Sequence, residues 1–111
     1  MTESEFLVLA DNTLNQIEAA LDRLADMSEL DVECCRSGNL LEVEFGRSAS
    51  KIIINAQAAM QELWVAAKSG GFHFRHTGVH WINTRDGTEL IAALSQMVST
   101  QSGSDVVLKV C

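Results

Sequence analysis

The sequence predicts an α+β fold: two helices packed on one face of an antiparallel β-sheet, in a single domain over residues 1–111. Three observations carry this. Apolar residues recur at spacings of three and four near both ends of the chain, the period of an amphipathic helix. Between those stretches the apolar and polar residues alternate with period two, the pattern of strands with one buried face. The strand-like runs are joined by short connections, which makes them an antiparallel meander rather than a parallel sheet.

The elements follow in order. Thr2 with Glu5 fits a capping box, so the first helix is expected to begin near Glu3. Its apolar stripe is Phe6, Leu9, Ala10, Thr13, Leu14, Ile17, Ala20, Leu21 and Leu24. A turn of about 100° per residue places Asp11, Glu18, Asp22 and Asp26 on a second stripe beside it. Leu30–Cys34 alternates, with Val32 and Cys34 inward and Asp31 and Glu33 outward. Ser37-Gly38-Asn39 is a turn, and Leu41–Phe45 alternates in the same way. Ser50–Asn55 is a β-branched run suited to a pleated, buried surface. In the next strand, Glu62–Ala67, Leu63, Val65 and Ala67 share one face while Trp64 and Ala66 share the other. Gly70-Gly71 breaks the pattern, Phe72–Arg75 alternates, Thr77-Gly78 turns, and His80–Asn83 is one more strand. Asp86 with Glu89 reads as a second capping box, ahead of a helix with the stripe Leu90, Ile91, Leu94, Met97 and Val98. Gly103 stops it. Asp105–Val110 is a tail along the helices or a last edge strand.

The charge is unevenly placed. Residues 1–44 carry eleven carboxylates against Arg23 and Arg36, a balance of −9, and residues 45–111 carry four acids and six bases, a balance of +2. An acidic half argues against nucleic acid and for cations or a basic protein as partner. No apolar run is long enough for a bilayer and no basic-then-apolar leader is visible, so a cytoplasmic protein is expected. Three cysteines, two of them adjacent, do not make a disulfide framework.

The first strand follows the helix after a short link. Asp22, Asp26, Glu29, Asp31 and Glu33 are therefore expected along one acidic ridge. Carboxylates are hard oxygen ligands that suit iron, manganese, magnesium and calcium. Acids spread along a line predict weak, multiple and exchangeable sites, and a merely solvated face is the competing reading. His73, His76 and His80 are a rival site. His73 and His76 differ by an odd number of positions, so on a regular strand they face opposite ways. Cys34 is expected to be a small core residue, and nothing near Cys35 or Cys111 would activate a thiolate. No phosphate loop, nucleophile elbow or triad is present, so the sequence makes no case for an enzyme. Trp64, on the face opposite Leu63 and Val65 and near Asn55 and Gln57, is expected to be an exposed anchor for a protein contact.

Ser50–Gln57, Leu63-Trp64, Lys68, Gly70–Phe74, Trp81 and Arg85-Asp86-Gly87 together resemble the bacterial frataxins of the CyaY type, as do Ser4-Glu5-Phe6, Leu9-Ala10-Asp11 and Ile17-Glu18. The likeness is collinear over nearly the whole chain. It implies a frataxin-like α/β sandwich that binds iron (Fe²⁺ or Fe³⁺) weakly on an acidic ridge and contacts the cysteine desulfurase and scaffold of iron–sulfur cluster assembly. The matching positions are Glu18, Asp22, Asp26, Glu29, Asp31, Glu33 and Glu44 for metal, and Asn55, Gln57 and Trp64 for the partner. Ala19 and Arg23 stand where bacterial members often carry acids, Ala59 where proline is usual and Glu62 where glutamine is usual. These departures bear on iron stoichiometry and partner affinity.

The leading expectation is a non-catalytic iron donor or iron-dependent regulator of the desulfurase–scaffold complex, with other divalent cations also able to bind. A monomer is expected, with iron-dependent oligomerisation as the alternative, and no membrane or nucleic-acid partner. A purely electrostatic interaction module is the second reading. Ferrous-iron oxidation on the ridge comes third.

Overall fold

The computed structural model describes residues 1–27 and 30–110. Helix α1 spans Glu3–Met27, and α2 spans Leu90–Ser102. Between them run β1 (Val32–Ser37), β2 (Leu40–Phe45), β3 (Ser50–Gln57), β4 (Glu62–Ala67), β5 (Gly70–His76) and β6 (Trp81–Asn83). The strands form one six-stranded sheet in sequence order, each antiparallel to its neighbour. The expected α+β architecture is the one observed. No helix among the described residues is long and apolar enough to cross a membrane.

Period-two patterning sorts the strand residues between the two faces. Leu41, Val43, Phe45, Ile52, Ile54, Leu63, Val65 and Phe74 are buried under the helices, in one core with Phe6, Leu14, Ile17, Leu21, Leu90 and Leu94. The opposite face carries no helix. Trp81 locks the layers together, edge-on to Phe6 at 6.0 Å and donating its indole N–H to Thr13 Oγ1 at 3.0 Å. Burial of a large ring with its polar handle satisfied serves both packing and register.

Helix α1 opens with the expected capping box: Thr2 N–H donates to Glu5 Oε1 at 2.9 Å and Glu5 N–H to Thr2 Oγ1 at 3.1 Å. The second expected box is different. Glu89 is itself the cap of α2, accepting the Ile91 and Ala92 N–H groups, while Asp86 closes a local turn by accepting the Thr88 N–H. The helix therefore starts three residues later than an Asp86 cap would place it. Glu89 is free to cap because its backbone is extended, with φ −75° and ψ 144°. Gly103, at φ 75°, ends α2 in a left-handed turn. The C-terminal stretch is a tail and not a strand. Val106 and Leu108 are buried, with N–H groups donating to Ser99 Oγ and Ser95 Oγ, and Arg23 of α1 donates to the Lys109 carbonyl at 3.0 Å.

Candidate functional site

Helix α1 packs chiefly on the edge strand β1, and both elements carry acids. Glu18, Asp22 and Asp26 lie on the helix. Glu33 lies on the open face of β1, directly opposite Glu44 on β2. Cys34, on the helix-facing side of β1, lies near two of the helix acids. Its thiol is pushed up to about 12, first by burial and then by the charges of Asp22 and Glu18. That thiol is inert at neutral pH. Asp31, just before β1, lays its carboxylate over Gly46, where even a Cβ would collide with it. Glu29 and Cys111 lie outside the described residues.

Which acids have a cation beside them is more telling than their number. Asp11 is 2.6 Å from Arg36, Lys51 is 2.6 Å from Glu42 and 3.7 Å from Glu44, and Glu62 is 3.0 Å from Arg75. Lys51 holds Glu42 below the usual carboxylate range, chiefly through their hydrogen bond. Glu44, a metal candidate by resemblance alone, is thus already within reach of a lysine. Glu18, Asp22, Asp26, Asp31 and Glu33 have no cation within ion-pair distance among the described residues. Nor do three or more His, Cys, Asp or Glu side chains converge on one point among those residues. These carboxylates are hard oxygen donors without a preformed cage among the described residues.

On the open face the register aligns Asn55, Trp64 and His73 in one cross-strand row, with Gln57, Glu62 and Arg75 in the next. Trp64 is half-buried. His73 stacks on it at 4.5 Å between ring centroids and 10° between planes. Its indole N–H donates to Glu62 Oε1 at 2.9 Å, and Arg75 donates to Glu62 Oε2 at 3.0 Å. Burial alone raises Glu62, but the hydrogen bonds from Trp64 and Arg75, with the charges of Arg75 and His73, outweigh it and hold the carboxyl below its ordinary range. The exposed row borders a shallow depression of about 260 Å³ lined by Ile53, Asn55, Trp64, Ala66, Phe72 and His73.

The Glu62–Trp64–His73–Arg75 cluster is not among the sequence expectations. The signal for it is present all the same: taking Lys68-Ser69 as a two-residue hairpin loop pairs Ala67 with Gly70, and counting back pairs Trp64 with His73 and Glu62 with Arg75. The other histidines do not join His73. His76 faces the helix side, edge-on to Trp81 at 5.0 Å, and is lowered by burial and by His80. His80 lies in the turn before β6.

Comparison with known proteins agrees with this fold. A family model described as a frataxin-like domain matches residues 1–104. The iron-sulfur cluster assembly protein CyaY of Janthinobacterium sp. (strain Marseille) is 71% identical over 109 residues, covering 98% of this chain and 97% of that protein. The protein of the same name from Herminiimonas arsenicoxydans is 68% identical over the same shares. Among solved structures, the frataxin of Psychromonas ingrahamii superposes with a TM-score of 0.83 at 34% identity, covering 96% of each chain. Trimeric frataxin from Saccharomyces cerevisiae, solved complexed with ferrous iron, gives a TM-score of 0.74 at 23% identity over 86% of each chain, a likeness of fold. With most of its length matched by the family model and relatives this similar along nearly all of it, the chain belongs to the frataxin family.

Proposed function

We propose that this protein serves iron–sulfur cluster assembly as an iron donor or iron-dependent regulator of a cysteine desulfurase–scaffold complex. In this reading iron is cargo, held weakly along the α1–β1 edge by Glu18, Asp22, Asp26, Asp31 and Glu33, with Glu29 between them in sequence and Glu44 at the margin. The observation that carries the reading is the pairing of acids around this edge and sheet: Asp11, Glu42, Glu44 and Glu62 have lysine or arginine partners, and these five have none among the described residues. Unpaired carboxylates without a cage suit a hard cation that must be released. The open-face row of Asn55 and Trp64, with Gln57 beside it, is the proposed partner surface. It offers a rigid aromatic with amides around it, the composition of an interface anchor.

A residue-resolved NMR titration of the whole chain with Mn²⁺ and Fe²⁺ tests the metal half. Broadening should centre on residues 18–33 and leave residues 73–80 sharp; a response centred on the histidines would remove the site from the ridge. The electrostatic-module reading keeps the same acids but needs no metal. It gains if neutralising them lowers desulfurase association in metal-free buffer as much as it does in the presence of iron.

A further inference from the structure

On the helix side of the sheet, a cavity of about 290 Å³ lies between β5 and α2. Phe72, Ala93 and Met97 give it an apolar floor, and Asn83, Lys68 and Asp86 give it polar walls. These polar residues stand on pinned backbone. The Lys68 N–H donates at 3.1 Å to Oε1 of Gln101, a buried side chain whose NH₂ group also donates to Ser50 Oγ and the Lys51 carbonyl. The connection from β6 to α2 folds back on Asn83, whose N–H donates to the Thr88 carbonyl at 2.8 Å and whose carbonyl accepts the Gly87 N–H at 2.9 Å. Asp86 accepts the Thr88 N–H at 2.9 Å, the chief cause that holds its carboxyl below the usual range. Asn83 is only 6% exposed. Its Oδ1 accepts the Arg85 N–H at 2.8 Å, which fixes the orientation of the amide. Its NH₂ group has no hydrogen-bond partner among the described residues. Yet no fully enclosed side-chain nitrogen or oxygen among them lacks one, so this donor opens onto the cavity.

Charge and size narrow the ligand. Lys68 and Asp86 are the charged residues on the cavity wall, and neither has an ion-pair partner among the described residues. Helix α2 adds no charged side chain from Leu90 to Ser102. Just beyond the wall, Arg85 and Glu89 carry opposite charges, and both Glu89 oxygens are engaged in capping α2. In a chain of net charge −7, this region therefore sums to zero, with one unpaired cation and one unpaired anion facing the same space. A ligand of a single sign gains from one of them and is repelled by the other, whereas a zwitterion gains from both. The volume is at the low end for small-molecule pockets, about 300–1,000 Å³, which suits a compact solute and not a nucleotide.

We propose that this cavity binds a free α-amino acid with a medium-sized apolar side chain. Its carboxylate is set against Lys68 and the Asn83 NH₂ group, its ammonium against Asp86, and its side chain against Phe72 and Met97. The apolar floor supplies affinity, and the two charges with the fixed amide supply selectivity, the usual division of roles in a small-molecule pocket. The site uses neither metal nor Trp64, so its test is independent of the iron reading.

The test uses the ¹⁵N-labelled full chain, metal-free, titrated with L-leucine and three analogues that each lack one feature. These are 4-methylpentanoate without the ammonium, 3-methylbutylamine without the carboxylate, and glycine without the side chain. Expected are saturable shifts at Phe72, Ala93, Met97 and the Asn83 side-chain amide, with a Kd for L-leucine of roughly 1 mM or lower and at least about fivefold higher for each analogue. Lys68→Gln should erase the preference for L-leucine over 3-methylbutylamine and keep that over 4-methylpentanoate. Asp86→Asn, which retains an acceptor for the Thr88 N–H, should do the reverse. The analogue series is read on the unaltered chain, so it decides the matter if a variant fails to fold. Equal affinity for L-leucine and either single-charge analogue would overturn the proposal, as apolar contact alone would then explain binding. So would shifts centred on Trp64 or on the α1–β1 edge, or no saturable shift up to about 10 mM L-leucine.

Discussion

Trp64→Ala tests the open-face assignment most directly, because the structure allows its cost to be assembled part by part. The stack on His73, at 4.5 Å and 10°, contributes about 1 kcal/mol beyond burial. The indole bond to the Glu62 carboxylate, at 2.9 Å, contributes about 1.5 kcal/mol, the low end for a charged acceptor, since Glu62 keeps Arg75 at 3.0 Å and gains water. Removing a half-buried ring from one open face adds about 1 kcal/mol. The sum, about 3.5 kcal/mol, lies inside the stability of an ordinary domain and should lower Tm by roughly 15 °C for a chain of this size. Trp81→Ala is the control. That ring is 5% exposed and its loss also removes the indole bond to Thr13 Oγ1, so about 5 kcal/mol is expected. Urea unfolding followed by circular dichroism gives both values, with metal affinity and binding to the desulfurase–scaffold complex measured on the folded variants. Trp64→Ala should keep its metal affinity and lose partner binding by about 2 kcal/mol or more. If it costs as much stability as Trp81→Ala, and partner loss merely tracks unfolding, Trp64 belongs to the core. A cost under about 0.5 kcal/mol would mean the stack is not held in solution.

Neutralising the ridge as Asp22→Asn, Asp26→Asn, Asp31→Asn and Glu33→Gln should weaken Mn²⁺ binding, slow association with a basic partner and flatten its salt dependence, while Tm stays level or rises as like-charge repulsion is relieved. Glu62 has a folded-state pKa below its unfolded value, so its contribution is complete above the unfolded value near 4.5 and is lost as pH falls through the depressed folded one. A Tm-against-pH curve should therefore lose more on acidification for the parent chain than for Glu62→Gln. Cys34, raised to about 12, should resist iodoacetamide at pH 8 in the folded protein while the exposed Cys35 reacts, as localised by fragmentation mass spectrometry. Gly46→Ala should displace the Asp31 carboxylate and not the backbone, changing metal response near Asp31 with little loss of Tm, because the atoms it meets end a mobile side chain.

Legibility follows the physics of each element. The two faces of β1 to β5 are readable because period-two alternation decides which side chains go under the helices, as Leu63 and Val65 against Trp64 show. The start of α1 is readable because a reciprocal cap uses two residues at a fixed spacing. The same spacing at Asp86 and Glu89 misleads, since Asp86 finds a nearer N–H in Thr88, and local side-chain bonds of this kind compete with caps. Sequence alone does not choose between tail and strand at the C-terminus, because the outcome rests on Ser95 and Ser99, whose hydroxyls take the N–H groups a neighbouring strand would otherwise take. Partners of individual acids are not legible at all. Lys51 meets Glu42 and Glu44 through register, and Arg36 reaches Asp11 across the helix–sheet boundary.

Those partners matter for the ridge, because a basic residue is within easy reach of its acids and is used elsewhere. Arg23 follows Asp22 in the chain and stands three residues before Asp26, a spacing that favours a helix-surface ion pair. Its guanidinium instead donates to the Lys109 carbonyl and pins the tail. On the sheet, Glu33 faces Glu44 directly across two strands, a like-charge pair that costs a few tenths of a kcal/mol, and Lys51 lies beyond it on the Glu44 side. A solvated face with no role would gain a little stability from redirecting either base. Arg23→Gln separates the two accounts. If the guanidinium only anchors the tail, Tm falls and Mn²⁺ affinity is unchanged. If its positive charge also tempers the ridge from its edge, Mn²⁺ affinity rises by roughly twofold to threefold at low salt, an effect that should fade as ionic strength shortens the screening length. An unchanged affinity at every salt concentration would remove Arg23 from the electrostatics of the site.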